Sequence, residues 1–236
     1  MSSDKIPMFE EGQVLLFDKP VYWTSFDLVN KVRIIIKSNL GIKKIKTGHA
    51  GTLDPLASGL MIVCTGRATK RIEEFRDLDK EYIATICLGA TTPSYDLETE
   101  INGSYPVEQI NENLVRSALK GFIGKQMQVP PVHSAKYING KRAYELARKG
   151  INAEMTPVPV FFRDLELLSF SMPEIQVRIV CSKGTYIRSF ARDLGLALSS
   201  GAYLSSLRRT AIGNNRIEDA YTLESFENLV KEMKPF

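Results

Sequence analysis

Three cysteines and two histidines stand in 236 residues. The cysteines, Cys64, Cys87 and Cys181, lie far apart at the ends of LMIVC, YIATIC and IQVRIVC. That spacing excludes a disulfide framework, and each is expected to be a small buried hydrophobe in a strand. Two histidines without a Cys-x-x-Cys pair leave too few ligands for a zinc site. No apolar run reaches about 18 residues, so a transmembrane helix is not expected. The N-terminus, MSSDKIPMFEEG, lacks the basic and apolar regions of a secretory signal, which places the expected location in the cytoplasm. Also missing are a P-loop, a dinucleotide fingerprint and a Ser–His–Asp arrangement, so nothing calls for a cofactor.

What is present is ordinary in amount and uneven in position. Hydrophobic content of 44% and charged content of 25% suit a globular chain with a substantial core. Net charge is only +4, but residues 31–76 hold ten lysines and arginines against three acids. Residues 177–216 hold seven basic residues against one acidic, whereas residues 93–115 hold five acids and no base. Two basic segments separated by an acidic one predict one face for a polyanion and another turned away from it.

Inside the first basic segment lies TGHAGTLDPLASG, Thr47 to Gly59. Its Asp54 is the sole acid between Lys31 and Arg71. Two readings are open. An Asp before proline commonly fixes a turn through nearby backbone N–H groups. Alternatively, a cationic partner holds it ionised for use as a nucleophile or base. Arg188, in a strand-to-helix turn far along the chain, is the candidate partner.

Periodicity predicts an α+β fold, because strands and helices mix without strict βαβ alternation. Val14 to Phe17 reads as a strand ending in the Asp18-Lys19-Pro20 turn. Thr24, with Asp27, offers a capping box for a helix that places Phe26, Val29, Val32 and Ile36 on its apolar side as far as Lys37. Leu60 to Cys64 and Tyr82 to Leu88 read as strands, with a helix opening at Gly66 between them and burying Ile72 and Phe75. Residues 89–105 read as an exposed connection or edge hairpin. A helix carrying Ile110, Leu114, Ala118 and Leu119 is expected to end near Gly121. An irregular basic segment from Pro130 and a short helix from Arg142 to Lys149 follow. Then come one or two strands over Val158–Ser171, a strand from Ile175 to Cys181, and a helix capped by Thr185 with Ile187, Phe190, Ala191, Leu194 and Leu198 inward. Leu204 to Thr210 brings Arg208 and Arg209, and a helix over Leu223–Met233 ends the chain.

These stretches together resemble the TruB-type tRNA pseudouridine synthases. TGHAGTLDPLASG is similar to that family's GHxGTLDPxAxG. LLFDKPVYWTS resembles its first strand and DKPxGxTS turn. GRATK, DKEY, PPVHSAKYINGKRAYELARKG, CSKGTYIRSFARDLG and LRRT match further blocks in order, so the resemblance spans about residues 12 to 225. It implies a pseudouridine synthase fold, with a mixed, mostly antiparallel sheet and flanking helices and loops around a central cleft. It implies isomerisation of the T-loop uridine conventionally numbered 55 in tRNA, by base flipping and an essential aspartate, without metal or cofactor.

Residue by residue, the resemblance makes Asp54 the catalytic aspartate, Tyr82 the aromatic that stacks on the target base and Arg188 the arginine paired with the aspartate. His49 becomes the side chain that enters the gap left by the flipped base. Lys19, Lys70, Lys141 and Arg142 join it as expected RNA contacts, as do Lys183, Tyr186 and Arg208. The partner implied is a tRNA T-stem-loop, bound by a monomer away from membranes. The sequence departs from the pattern at His133, at Lys136-Tyr137, and at Pro93 and Tyr95, although Asp96 is retained. A single catalytic domain over 1–236 is expected, with too few residues after it for a C-terminal PUA domain.

Overall fold

The computed structural model describes residues 9–132, 137–138, 141–142 and 155–233, the two short pairs by their backbone. In chain order the elements begin β1 (Val14–Lys19), α1 (Ser25–Leu40), β2 (Thr47–His49) and β3 (Ala57–Thr65). A 3-10 helix (Gly66–Arg71) then leads into α2 (Ile72–Arg76), β4 (Lys80–Leu88), β5 (Ala90–Thr91) and β6 (Gly103–Ser104). Next are α3 (Glu112–Phe122), β7 (Gly124–Gln128), β8 (Tyr137–Ile138), β9 (Lys141–Arg142), β10 (Val158–Ser171) and β11 (Glu174–Cys181). The chain closes with α4 (Ile187–Ala197), β12 (Ala202–Ile212), β13 (Asn215–Arg216), a 3-10 turn (Ile217–Asp219) and α5 (Leu223–Glu232). The fold is α+β with mostly antiparallel pairing, as expected. Among the described residues no helix is long and apolar enough to cross a membrane.

Two compact units are formed: Met1–Lys80 with Arg208–Phe236, and Glu81–Leu207. In the first, β1 runs antiparallel to β3 with Lys19 opposite Gly59, and the 208–212 end of β12 lies beside β3. Apolar side chains of β3, Leu60, Ile62 and Cys64, pack with Ala50 and Ile212, and Ile72 and Phe75 close over them. Phe17 meets Phe226 of α5 edge-on at 5.0 Å between ring centroids. The Thr24–Asp27 capping box forms as expected at the start of α1. Val29, Val32 and Ile36 are buried as expected, together with Leu28 and Ile35, but Phe26 is exposed. Spacing by three and four admits two adjacent stripes, and the fuller one wins the core.

In the second unit β10 pairs antiparallel with β11 on one side and β7 on the other. It is one long strand, with register shifts at Phe162/Asp164 and Leu167/Ser169. Phe190 of α4 packs 5.3 Å from Phe122 of α3 and 5.1 Å from Phe162 of β10, and the predicted inward face of α4 is buried throughout. Several expectations are corrected here. The cap of α4 is Tyr186, while Thr185 Oγ1 donates to Ser182 O instead. The end of α3 is as expected, since the helix stops at Phe122 beside Gly121, and the left-handed residue that follows is Gly124 at φ 97°. Residues 89–105 do form a small hairpin, but Thr92, Ser94 and Asp96 are buried. The Thr92 and Ser94 hydroxyls donate to Asp96 O and the Asp96 carboxylate accepts from Glu98 N–H, which permits burial. Cys64 and Cys181 are buried, whereas Cys87 is only partly so. Arg142, expected to open a helix, lies in β9 instead, while residues 143–149 and His133 lie outside the described residues.

Candidate active site

The pairing of β1 with β3 sets the geometry around Asp54. Beyond Lys19 and before Ala57 the two segments run on as adjacent loops. The Tyr22 N–H donates to Pro55 O at 2.7 Å. The Ser25 hydroxyl donates to Leu53 O at 3.0 Å and accepts from Leu53 N–H at 2.9 Å. Ala57 N–H donates to Asp54 O at 3.0 Å. Both residues flanking Asp54 are therefore fixed through their backbones, and Asp54 itself is half-buried. A reactive group on a loop needs such anchoring to hold one geometry.

Two buried cations support this loop. Lys19 Nζ donates to Trp23 O at 2.6 Å and Pro20 O at 2.9 Å. Its side chain, expected among the direct RNA contacts, is buried and bonded to the turn. Burial lowers the Lys19 ammonium to about 8, with the Asp54 carboxylate opposing the fall and Arg209 adding to it. Arg209 Nε donates to Leu60 O at 2.7 Å and Nη2 to Gly51 O at 3.2 Å, joining β3 to the start of the loop. Burial also lowers the His49 imidazole, against the Gly51 backbone and with help from Arg209 and Arg76, so His49 is neutral at pH 7.

Lys19 makes a pH prediction. Its folded value lies below the unfolded 10.5, so between about 8 and 10.5 the unfolded chain holds the extra proton. Stability contributed by this site therefore rises with pH across that window and is flat below it. Urea midpoints of wild type and Lys19→Met, measured from pH 7.5 to 10.5, should show a wild-type rise that the variant lacks. Parallel curves would contradict the burial argument.

In the second unit, Arg188 sits in the first turn of α4 as expected and is buried. Gln128, also buried, grips the backbone before it: Tyr186 N–H donates to Gln128 Oε1 at 2.8 Å, and Gln128 Nε2 donates to Tyr186 O at 3.1 Å. Ser189 Oγ donates to Val129 O at 2.8 Å. Arg188 Nε lies 3.6 Å from Asp96 Oδ2 in a buried ion pair. Asp96 is itself anchored, since Glu98 N–H donates to its Oδ1 at 2.9 Å and Thr92 Oγ1 to its carbonyl at 2.7 Å. Tyr82 lies buried on β4, on the side shared by Ala84 and Ile86. Next to it Glu81 accepts from Arg178, whose guanidinium also holds Asp164 and Glu166.

The remaining expected RNA contacts divide. Lys70 is exposed at the end of the 3-10 helix, and Lys183 is exposed in the turn formed with Gly184. Arg208 is half-buried and bound to both Asp18 carboxylate oxygens, at 2.7 and 3.1 Å. The side chains of Lys141 and Arg142 lie outside what is described. Asp54, His49 and Lys19 belong to the first unit, and Tyr82, Tyr186 and Arg188 to the second.

Sequence reasoning missed Ser25, Gln128, Asp96 and Arg209 as supports of these residues. Asp96 carried a signal as an acid retained in an altered turn, and Ser25 and Arg209 lie in the family-like blocks LLFDKPVYWTS and LRRT, whereas Gln128 carried none. Among the described residues no group of three or more His, Cys, Asp or Glu side chains is arranged to hold a metal.

The family model described as TruB family pseudouridylate synthase (N terminal domain) matches residues 37–187. A second, tRNA pseudouridylate synthase B C-terminal domain, matches residues 188–234. The chain is 60% identical over 218 residues to tRNA pseudouridine synthase B of Phocaeicola vulgatus, covering 92% of this chain and 93% of that protein. It is 50% identical to the protein of the same name from Flavobacterium johnsoniae, covering 92% and 95%. Among solved structures it is similar to the archaeal box H/ACA sRNP Nop10–Cbf5 complex, with a TM-score of 0.69 and 27% identity. A structure of an H/ACA RNP bound to a substrate RNA containing 2′-deoxyuridine gives a TM-score of 0.65 and 26% identity. These matches cover 96% and 93% of this chain, which spans just over half of each matched chain, 57% and 53%.

Proposed function

The chain belongs to the TruB family of pseudouridylate synthases, and from that premise we propose that it is a tRNA pseudouridine synthase acting on the T-loop uridine numbered 55. The observation that carries this reading is the Asp54 loop, with its flanking residues fixed and a buried ammonium close by, in a chain 60% identical to a tRNA pseudouridine synthase B.

The reaction breaks the bond from uracil N1 to ribose C1′ and joins C1′ to C5; the C5 hydrogen leaves to solvent as a proton and N1 takes up a proton, so the product is an isomer of the substrate. No electrons are gained or lost, so the net change requires no redox group. Asp54 is the catalytic carboxylate. The family resemblance assigns Tyr82 to stacking on the extruded uracil and Arg188, ion-paired with Asp96, to the cationic role. A neutral His49 suits the gap left in the RNA, because a flat uncharged ring stacks on bases without a desolvation penalty. Extruding the base costs a few kcal/mol, which stacking partners offset. The exposed Lys70 and Lys183 are assigned to phosphate.

Tritium release from a T-stem-loop containing 5-tritiated uridine tests the proposal. The wild-type protein should release one tritium per target uridine, and a T-loop with cytidine at the target should release none. Binding without release would instead fit an RNA-folding protein. Release from sites outside the T-loop would mean a synthase with a different RNA substrate.

A further inference from the structure

Tyr22 occupies the place where the DKPxGxTS pattern has glycine, and it holds a glycine-like backbone, with φ 69°. L side chains adopt that region at an energetic cost and persist there when surroundings impose it or function uses it. Tyr95, the nearest comparison, is also left-handed at φ 63°. Its ring is used inside the protein: the Arg192 guanidinium lies 4.9 Å from its centroid and Arg192 Nη1 donates to its hydroxyl at 3.3 Å. Tyr22 differs, because its side chain is 80% exposed.

The exposed ring is not isolated. Val21 is 41% and Phe26 67% exposed, so three large apolar side chains face solvent within six residues. Their backbone is nonetheless rigidly held. Lys19 Nζ binds the carbonyls of Pro20 and Trp23, the capping box fixes Thr24, and Tyr22 N–H binds Pro55 O, one residue from Asp54. Exposed aromatics on a fixed loop beside a catalytic loop are suited to a flat apolar partner that arrives with the substrate.

We propose that Tyr22, flanked by Val21 and Phe26, is a stacking platform for an unpaired nucleobase of the RNA loop that carries the target uridine, a base other than the target itself. This deepens the proposed function and rests on it. Unpaired RNA bases expose faces that stack on aromatic rings, and such stacking depends little on base identity. Tyr22 therefore adds affinity for the loop without taking part in bond breaking. Its hydroxyl is not needed, whereas its ring is.

Two variants test this in the full-length protein. Asparagine tolerates the left-handed region and keeps the backbone donor to Pro55, so Tyr22→Asn preserves the loop while removing the ring. KM and Kd for the T-stem-loop are expected to rise about tenfold in Tyr22→Asn, with kcat within about twofold of wild type, and to stay near wild type in Tyr22→Phe. A 2-aminopurine placed in turn at the unpaired non-target loop positions should be quenched by wild type at one of them, and not by Tyr22→Asn. Unchanged KM and Kd in Tyr22→Asn, or a fall in kcat at constant KM, would overturn the platform. The Kd comparison decides it independently of turnover. A wild type that binds but releases no tritium would thus count against the proposed function alone, while the Kd ratio still upholds or overturns the role of Tyr22.

Discussion

Replacing Asp54 by asparagine is expected to lower tritium release by at least about 10³-fold while leaving the protein folded and able to bind RNA. Asparagine keeps the shape of aspartate but carries no charge and is a far weaker nucleophile and base. Several backbone bonds hold the loop in addition to whatever the Asp54 carboxylate contributes. Leu53 is clamped by Ser25, Pro55 accepts from Tyr22, and the Asp54 carbonyl accepts from Ala57. Losing the charge beside the buried Lys19 ammonium should cost about 1–3 kcal/mol, which a domain of this size tolerates while staying folded. Loss of the carboxylate also removes the charge that supports the Lys19 ammonium, so the Lys19 value should fall further below about 8. Single-turnover tritium release, urea unfolding and T-stem-loop binding together check the prediction. Release at the wild-type rate would remove Asp54 from the chemistry. Parallel loss of binding and folding would make it a structural turn residue.

Gly59→Ala should be among the most destabilising single changes in the first unit, at about 3 kcal/mol or more. Gly59 has φ 106°, and a Cβ there would stand 2.3 Å from Arg209 O and 2.7 Å from Arg209 N. Both are backbone atoms of β12, which cannot rotate away as a side-chain tip would. The left-handed conformation costs an L residue about 1–2 kcal/mol, and forcing apart packed elements adds about 1–3 kcal/mol. Displacing β12 also disturbs the Arg209 bonds to Leu60 and Gly51, and with them the start of the Asp54 loop. Gly41 is the control. It lies in the same unit at φ 67°, and a Cβ added there would meet nothing within 4 Å, so Gly41→Ala should cost only about 1–2 kcal/mol. Equal urea midpoints for the two variants would refute the close-approach argument.

The loop around Asp54 shows how far local pattern reaches. Thr24 and Asp27 lie three apart, and their capping box follows from that spacing. The strands on either side of the loop follow from runs such as LMIVC, and the glycine-rich string between them marks a tight passage. Ser25 is different. Its hydroxyl bonds Leu53, 28 residues away, and nothing near Ser25 announces that partner. Gln128 is similar: it lies in GKQMQ, too polar to read as a strand, and is buried because it meets the Tyr186 backbone 58 residues on. Arg208 and Arg209 look alike in LRRT. Yet Arg208 binds the Asp18 carboxylate, whereas Arg209 ties β12 to β3 and to the loop through bonds to backbone carbonyls.

By itself the sequence determined the α+β class, most strands and helices, the family resemblance and the residues expected to do chemistry. These rest on periodicity, turn residues and ordered blocks, all written over short spans. The tertiary structure alone decided which charges are buried and on what. It made Lys19 a buried prop for the loop, gave Arg188 a buried partner in Asp96, and left Phe26 in solvent beside Tyr22. The physical reason is that burial of a charge or a hydroxyl is tolerable only where a matching group stands opposite. That group is supplied by the fold, often from a distant part of the chain.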